Sequence, residues 1–514
     1  MSDAKIRTHR YERANTGATL SSRPRTGSRY ARHAPERTLL YALVEAHYPD
    51  FIARIEAEGR SLPGYVREAF DAYLRCGVLE HGFLRVVCEH CRAERLVAFS
   101  CKKRGFCPSC GARRMAESAR HLVEEVFGPR PVRQWVLSFP YPLRFLFASK
   151  PEAIGPVLGI VQRVIAGWLA DQAGIDRASA QCGAVTLIQR FGSALNLNIH
   201  FHMLWLDGVY VEATELPRRE LRLHRARAPT TAQLTQLAAT IAHRVCRHLT
   251  RKGWLEGEGE SAFLADSAAG DDSMDGLRMS SITYRIATGR DAGCKVVTLQ
   301  TLPGDAGSLE GEAGKVGGFS LHAGVAAEAH ESHKLEKLCR YITRPAISEK
   351  RLSIALQGRV RYQLKTPWRN GTTHVEWDPV DFIAKLAALV PPPRAHLTRF
   401  HGVFAPNANL RAQLTPSGRG KRPAGDAAPV DVSAHDAPRS PEEKRRAMSW
   451  AQRLKRVFSI DVTACVHCGG TVRIVASIEE PTAIRAILAH FEKHGAREEA
   501  HYRPAARAPP VQAA

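Results

Sequence analysis

Residues 195–206 read LNLNIHFHMLWL, and up to His202 they alternate between apolar and polar. Side chains of a β-strand point alternately to its two faces. One face is therefore apolar and consists of Leu195, Leu197, Ile199, Phe201, Met203 and Trp205. The other face carries Asn196, Asn198, His200 and His202. The pattern predicts a strand that covers a core with one face and presents two histidines on the other.

Two imidazoles at positions i and i+2 on one strand face can share a divalent cation. A third ligand must then come from elsewhere, and Gln189 and His322 are the candidates. Asp207 follows the strand directly and is a candidate outer-shell group. The spacing does not choose among them, and a hydrogen-bonded histidine pair without metal is the alternative.

Further elements surround this strand. Residues 135–139 and 184–191 are strand-like, whereas residues 115–127 and 154–170 have the pattern of helices. The expected fold is α+β, with His200 and His202 on a central strand of an antiparallel sheet. Helices pack against that sheet, and a small zinc-binding domain precedes it.

The cysteines form a second motif. Cys88, Cys91, Cys107 and Cys110 follow the pattern C-x2-C-x15-C-x2-C, which is typical of a structural zinc site. Cys101 is an alternative ligand, and Cys76 also lies nearby. The cations Lys102, Lys103 and Arg104 flank the motif and indicate a DNA-binding element, the alternative being charges that are merely solvated.

A tyrosine helix is predicted over residues 332–344, SHKLEKLCRYITR, which Pro345 ends. Leu335, Leu338 and Ile342 would form its buried stripe. One face would carry a phenol among three cations, namely Lys334, Lys337, Tyr341 and Arg344. Such cations favour a phenolate and hold a phosphate, as a nucleophile that attacks a phosphodiester requires.

The overall charge indicates a polyanionic partner. The 514 residues include 73 Lys and Arg against 51 Asp and Glu, a net charge of +22. No uncharged apolar stretch reaches 18 residues, and the N-terminus lacks a signal-peptide core. We therefore expect no membrane association and a cytoplasmic location, where the 12 cysteines stay reduced and available to metal.

The composition divides the chain into five parts. Residues 1–38 are predicted to be a flexible basic arm, and residues 39–130 a helical and zinc-binding domain. The predicted catalytic domain is residues 131–411, which include the histidine strand, the tyrosine helix and an acidic loop at 255–276. A linker at 412–447 leads to a C-terminal module, 448–514, with a disordered end. This module has one CxxC pair, Cys465 and Cys468, for which we expect no metal or a partial site.

Several long motifs in one order resemble the rolling-circle insertion-sequence transposases of the IS91 type. The motifs are FCPSCGARRMAE at 106–117, IQRFGSALNLNIHFHMLWLDGVY at 188–210, GGFSLHAGV at 317–325, LCRYITRPAIS at 338–348, LKTPWRNGTTHVEWDP at 364–379 and LVPPPRAHLTRFHGVFAPNANLR at 389–411. These transposases are HUH nucleases, named for their histidine–hydrophobic–histidine motif.

The resemblance implies a zinc domain at the four cysteines and an HUH motif at His200-Phe201-His202 that holds Mg²⁺ or Mn²⁺. It places the nucleophile at Tyr341, which would attack single-stranded DNA at the element's ends. A 5′-phosphotyrosyl link would form and free a 3′-OH that primes replication. The partner would be nucleoid DNA in a bacterial cytoplasm.

Some members of the family carry two tyrosines four residues apart, but here these positions hold Lys337 and Pro345. The chain is therefore similar to the single-tyrosine, insertion sequence common region subgroup. A homo-oligomer could supply the nucleophile for a second strand transfer. The alternatives are a zinc-containing DNA-binding protein and a degenerate transposase, both without catalysis.

Overall fold

The computed structural model describes residues 34–213, 220–257, 263–265, 273–302, 313–418, 465 and 467–493. Most of the predicted basic arm, most of the predicted linker and the predicted disordered end lie outside the described residues. Part of the acidic segment 255–276 does so as well.

Helices and strands are interspersed along the described residues. The helices are α1 Leu39–Ala57, α2 Gly64–Arg75, α3 Pro108–His121, α4 Tyr141–Ser149, α5 Ile154–Ala173, α6 Thr231–Arg251, α7 Asp275–Ile282, α8 Ser332–Ile342, α9 Pro379–Leu389, α10 Arg411–Leu414 and α11 Pro481–Lys493. The strands are β1 Phe83–Cys88, β2 Glu94–Ala98, β3 Val132–Ser138, β4 Gly183–Phe191, β5 Leu197–Leu206, β6 Gly208–Ala213, β7 Glu220–Arg225, β8 Leu255–Glu256, β9 Phe263–Leu264, β10 Val297–Gln300, β11 Ala313–Val316, β12 Phe319–Ala327, β13 Leu352–Ile354, β14 Val360–Gln363, β15 Thr372–Trp377, β16 Thr398–Gly402 and β17 Val472–Ile478.

A six-stranded sheet with the order β11-β12-β3-β5-β4-β16 organises the molecule. All of its neighbouring strands are antiparallel, and β5 lies between β3 and β4. The register places His202 opposite Val136 of β3 and opposite Leu187 of β4. The predicted α+β fold, with the histidine strand in the interior of an antiparallel sheet, is confirmed.

The two faces of this sheet bury different helices. The apolar face of β5, including Phe201 and Trp205, belongs to the largest core cluster, together with residues of α4, α5 and α6. The opposite face packs against α8 through a second cluster that contains Leu187 and Leu204 of the sheet and Leu338 of the helix. The tyrosine helix therefore covers the same face that carries the histidines.

Helix α5 is long and strongly apolar. By length and composition alone, the segment Pro151–Ala173 could cross a membrane. However, Val157, Val161 and Ile165 are fully buried in the core against the central sheet. Its apolar surface is therefore used for packing within the protein.

The N-terminal region consists of α1, α2, the β1–β2 hairpin and α3. Helix α3 starts at Pro108, earlier than the predicted helix 115–127, because Pro108 occupies its first turn, where no backbone donor is needed. The predicted separate C-terminal module is corrected by the structure: β17 pairs with β1 and extends the hairpin to three strands.

Candidate functional site

The two histidines of β5 point their Nε2 atoms at each other, 3.1 Å apart. Each Nδ1 atom has another partner: that of His200 lies 2.9 Å from the carbonyl oxygen of Asn198, and that of His202 lies 2.8 Å from the Gln134 amide nitrogen. His200 therefore donates through Nδ1, which makes its Nε2 an acceptor that faces His202 Nε2. Such second partners fix the ring orientation of metal-binding histidines.

Burial keeps both imidazoles neutral. It lowers the pKa of His200 to about 4 and, with the nearby His200, that of His202 to about 2. The positive charge of Arg344 adds to both shifts. A neutral imidazole is the form that binds a metal ion, so the pair is ready to bind a cation at neutral pH.

Tyr341 of α8 completes the site. Its ring lies 6.1 Å from that of His202, between centroids, at an interplanar angle of 87°. The side chain is 40% exposed, so that the phenol is accessible from solvent. The helix is held in place by its predicted buried stripe, Leu335, Leu338 and Ile342.

Two cations lie against the tyrosine ring. The guanidinium carbon of Arg344 is 4.2 Å and the Nζ of Lys365 is 4.4 Å from the ring centroid. Arg344 was predicted from the helical spacing, whereas Lys365 was missed, because it follows β14 and no local pattern connects it with α8. Lys334 instead pairs with Glu331, with 3.0 Å between Nζ and Oε2.

Of the two candidate third ligands, Gln189 lies directly opposite His200 in the sheet. Its Nε2 donates to the carbonyl of Ile342 at 3.1 Å, while its buried Oε1 has no hydrogen-bond partner among the described residues. His322 lies on β12, separated from β5 by β3. Within the described part of the chain, it forms no cluster of three His, Cys, Asp or Glu ligands with the histidine pair.

Asp207 is not an outer-shell group of the histidines. It forms a two-pronged ion pair with Arg133, in which Nε–Oδ1 and Nη2–Oδ2 are both 2.8 Å. Gln134 takes the outer-shell position instead, because it points to the same face of the sheet as His202. The predicted strand 135–139 began one residue too late to include it.

The cysteines form two tetrads rather than the predicted one. Tetrad 1 consists of Cys76, Cys101, Cys107 and Cys110, and tetrad 2 of Cys88, Cys91, Cys465 and Cys468. Within each, all four sulfurs lie within 4.8 Å of one another. Four sulfurs at 2.3 Å from a tetrahedral zinc would be about 3.8 Å apart, so both tetrads fit that metal.

The predicted set Cys88, Cys91, Cys107 and Cys110 is therefore corrected. The physical reason is the β1–β2 hairpin, whose turn holds Cys88 and Cys91. Cys76 and Cys101 flank the base of the hairpin, where Gly77 N donates to the Phe99 carbonyl. Strand rise separates the two ends of the hairpin by roughly 17 Å, too far for one ion. Cys101 is a member of tetrad 1, as the sequence allowed.

Tetrad 1 also supports the tyrosine helix. Cys107 and Cys110 lie at the start of α3, and Gly111 of this helix packs so closely on Pro345 that an added Cβ would come within 2.7 Å of its ring. The Thr343 hydroxyl also contacts the carbonyl oxygen of Met115. The start of α3, which carries two cysteines of tetrad 1, therefore positions the end of α8.

A cavity of about 360 Å³ opens between the two regions. Its cationic lining residues come from both the zinc-binding region and the catalytic region, namely Lys103, Arg104, Arg114, Arg190 and Arg344. Of the predicted DNA-binding residues, Lys103, Arg104 and Arg344 are thus brought together. Lys102, Lys334 and Lys337 are exposed but do not line this cavity.

Comparison with known families agrees with this division of the molecule. Residues 43–139 match a transposase zinc-binding domain of the IS91 type, and residues 183–411 match a putative transposase family. No curated protein and no solved structure matches the chain significantly. The matched zinc-binding region contains tetrad 1, and the second matched region contains the histidine strand and the tyrosine helix, so that the chain belongs to the IS91-type transposases.

Proposed function

We propose that this transposase is a single-tyrosine HUH nuclease that cleaves single-stranded DNA at the ends of its element and rejoins the strands by rolling-circle transposition. The observation that supports this most strongly is the approach of Tyr341 to His202, from elements far apart in the sequence. A phenol beside two convergent imidazoles combines a nucleophile with a metal-binding pair.

His200 Nε2, His202 Nε2 and Gln189 Oε1 would hold the Mg²⁺ or Mn²⁺ ion. The buried, unpartnered Gln189 oxygen fits this role, because a buried acceptor without a partner is costly. For His202 to use Nε2, its proton must reside on Nδ1, and the Gln134 amide would then present its oxygen there. Once bound, the ion would act as a Lewis acid on the phosphate.

In the proposed cleavage step, the Tyr341 oxygen attacks the phosphorus of the scissile phosphodiester. A bond between the tyrosine oxygen and phosphorus forms, while the bond from phosphorus to the 3′-oxygen breaks. The phenol proton passes to water, and water returns a proton to the leaving 3′-oxygen, which is released as a hydroxyl. Arg344 and Lys365, beside the ring, would attract the phosphate and offset the charge that develops on it.

A second covalent link would need another nucleophile, and Tyr362 is the next tyrosine along the chain after Tyr341. Tyr362 is fully buried, and its hydroxyl accepts a hydrogen bond from Ser348 N. It is therefore not accessible as a second nucleophile. A second strand transfer would use a second subunit, water or the freed 3′-OH.

The proposed path of the DNA strand is the cavity lined by Arg344, the residue that also lies against the Tyr341 ring. It combines the cations Lys103, Arg104 and Arg344 with Phe191, over whose ring Arg344 lies at 5.4 Å. Grooves that bind single strands combine backbone-tracking cations with aromatic rings on which bases stack. We expect the protein to act in this way on nucleoid DNA in the bacterial cytoplasm.

A cleavage assay tests the proposal. The full chain is incubated with end-labelled single-stranded oligonucleotides carrying the element's end, with Mn²⁺ or without divalent ions. We expect a covalent adduct on the 3′-side fragment that requires the ion and is lost in Tyr341→Phe. The matched control is Tyr141→Phe, since Tyr141 is also exposed and also lies under an arginine, Arg144.

Two results would contradict the mechanism. An adduct that persists in Tyr341→Phe would place the nucleophile elsewhere. Tight DNA binding without any adduct, under any divalent ion, would favour a binding protein or a degenerate transposase.

A further inference from the structure

The described C-terminal residues are built into the zinc-binding region. Strand β17 pairs with β1 along its whole length, from Phe83 opposite Ile478 to Cys88 opposite Val472. Strand β1 falls within the zinc-binding match, whereas β17 lies outside both matched regions. The sheet therefore joins two parts of the chain that the family comparison does not connect.

A small core supports this pairing. Ile484 and Leu488 of α11 are buried against Leu79, Phe83 and Leu96 of the zinc-binding region. This cluster is separate from the two clusters that flank the central sheet. Among the described residues, a small number of apolar side chains hold the C-terminal segment, so that apolar burial alone gives it modest stability.

Tetrad 2 lies at the end of this interface. Cys88 Sγ is 3.6 Å from Cys468 Sγ, and Cys91 Sγ is 3.5 Å from Cys465 Sγ. Both distances are far longer than the covalent S–S bond of about 2.05 Å and close to the spacing of sulfurs around zinc. The two CxxC pairs face each other, and each of the two sulfur–sulfur contacts joins one cysteine of the first pair to one cysteine of the second.

The local backbone is shaped for four thiolates. The amide of Cys91 lies 3.5 Å from Cys88 Sγ and that of His467 lies 3.4 Å from Cys465 Sγ, so that N–H groups point at the sulfurs. Gly470 passes so close that an added Cβ would lie 3.4 Å or less from the sulfurs of Cys88 and Cys468. It would also lie 2.9 Å from the Cβ of His90, which favours glycine there.

We propose that Cys88, Cys91, Cys465 and Cys468 bind a second structural Zn²⁺, which fastens the C-terminal segment to the N-terminal zinc-binding region. Four thiolates fill a tetrahedral shell, so this ion is structural. Its ligands come from opposite ends of the chain, 374 residues apart between Cys91 and Cys465. Tetrad 1 does not depend on it, because the tetrads occupy opposite ends of the β1–β2 hairpin.

Metal analysis of the reduced full chain tests this proposal. We expect two zinc ions per chain in the wild type and one in Cys465→Ser/Cys468→Ser. The matched control is Cys246→Ser/Cys294→Ser, whose cysteines belong to neither tetrad and which should keep two. Hydrogen exchange should show that β17 loses protection in the first variant, whereas β5 does not.

A second measurement covers the case in which the variant does not fold. In the wild type under reducing conditions, Cys465 and Cys468 should resist alkylation until a chelator is added. One zinc per chain in both wild type and Cys465→Ser/Cys468→Ser would overturn the proposal. So would rapid alkylation of Cys465 and Cys468 in the zinc-loaded protein, or protection of these thiols that only a reductant removes, since the last result indicates disulfides.

Discussion

The histidine–tyrosine site and the cysteine tetrads both consist of metal-ligating side chains, but their geometry suits opposite purposes. Each tetrad gathers four sulfurs, enough to complete the coordination of a zinc ion. Among the described residues, the histidine pair has Gln189 as a further candidate ligand, and an exposed phenol lies beside the pair. An incomplete ligand set leaves room for a substrate phosphate. The number of ligands and their access to solvent therefore distinguish the proposed structural sites from the proposed catalytic site.

The largest expected effect concerns tetrad 1. Replacement of Cys107 and Cys110 by serine should unfold the N-terminal region, because structural zinc contributes about 10–16 kcal/mol, comparable to the whole stability of a domain. By contrast, His200→Gln/His202→Gln should keep its fold and lose cleavage. Circular dichroism with thermal unfolding measures the difference. A fully folded cysteine variant would show that tetrad 1 is dispensable.

The next largest effect concerns Asp207, which lies between β5 and β6 and should matter for stability but not for metal binding. Asp207→Asn removes the charge that pairs with the buried Arg133, which should cost about 3–5 kcal/mol of the free energy of unfolding. Affinity for Mn²⁺ should change little, since Asp207 lies beyond the end of β5, away from the histidines. Denaturant unfolding and Mn²⁺ titration test both halves. A large loss of Mn²⁺ affinity with unchanged stability would return Asp207 to the metal site.

A smaller effect should identify the third ligand. Gln189→Met removes the unpartnered oxygen. We expect the affinity for Mn²⁺ to fall roughly 10- to 100-fold, as for loss of a metal-site partner, so that half-maximal cleavage requires that much more Mn²⁺. The control is His322→Gln, which should behave like the wild type. The reverse outcome would make His322 the ligand and would show that β3 does not separate it from the site.

The smallest effect, per unit of pH, is expected from the histidine pair itself. Because burial lowers both pKa values below the ordinary 6.5, the unfolded chain binds more protons than the folded chain between about pH 4 and 6.5. The free energy of unfolding should therefore fall as the pH falls, by up to about 1.4 kcal/mol per pH unit for each histidine.

This pH effect is measured as a difference between two proteins. Denaturant unfolding of the wild type is compared with that of His200→Gln/His202→Gln, without added divalent ions. The cysteine tetrads titrate in both proteins, so that their contribution cancels. Identical slopes would mean that the histidines are not buried as neutral groups.

Local periodicity determined much of the catalytic region. Alternation along residues 195–206 predicted the apolar face of β5, and helical spacing predicted the buried stripe of α8. Both patterns result from burial of one face of a helix or strand, so they can be recognised within a short segment of the sequence. The sequence alone also indicated cysteine-bound zinc, a DNA partner and the transposase family.

The tertiary structure alone decided which distant residues meet. Gln134, Lys365 and the partners of each cysteine pair come from segments whose separation along the chain carries no periodic signal. Spacing joined Cys88 and Cys91 to the nearest CxxC pair, but the hairpin holds the two pairs at opposite ends and brings in Cys465 and Cys468 instead. Ligand type is a property of a residue, whereas a ligand set depends on strand register and packing, which only the folded chain fixes.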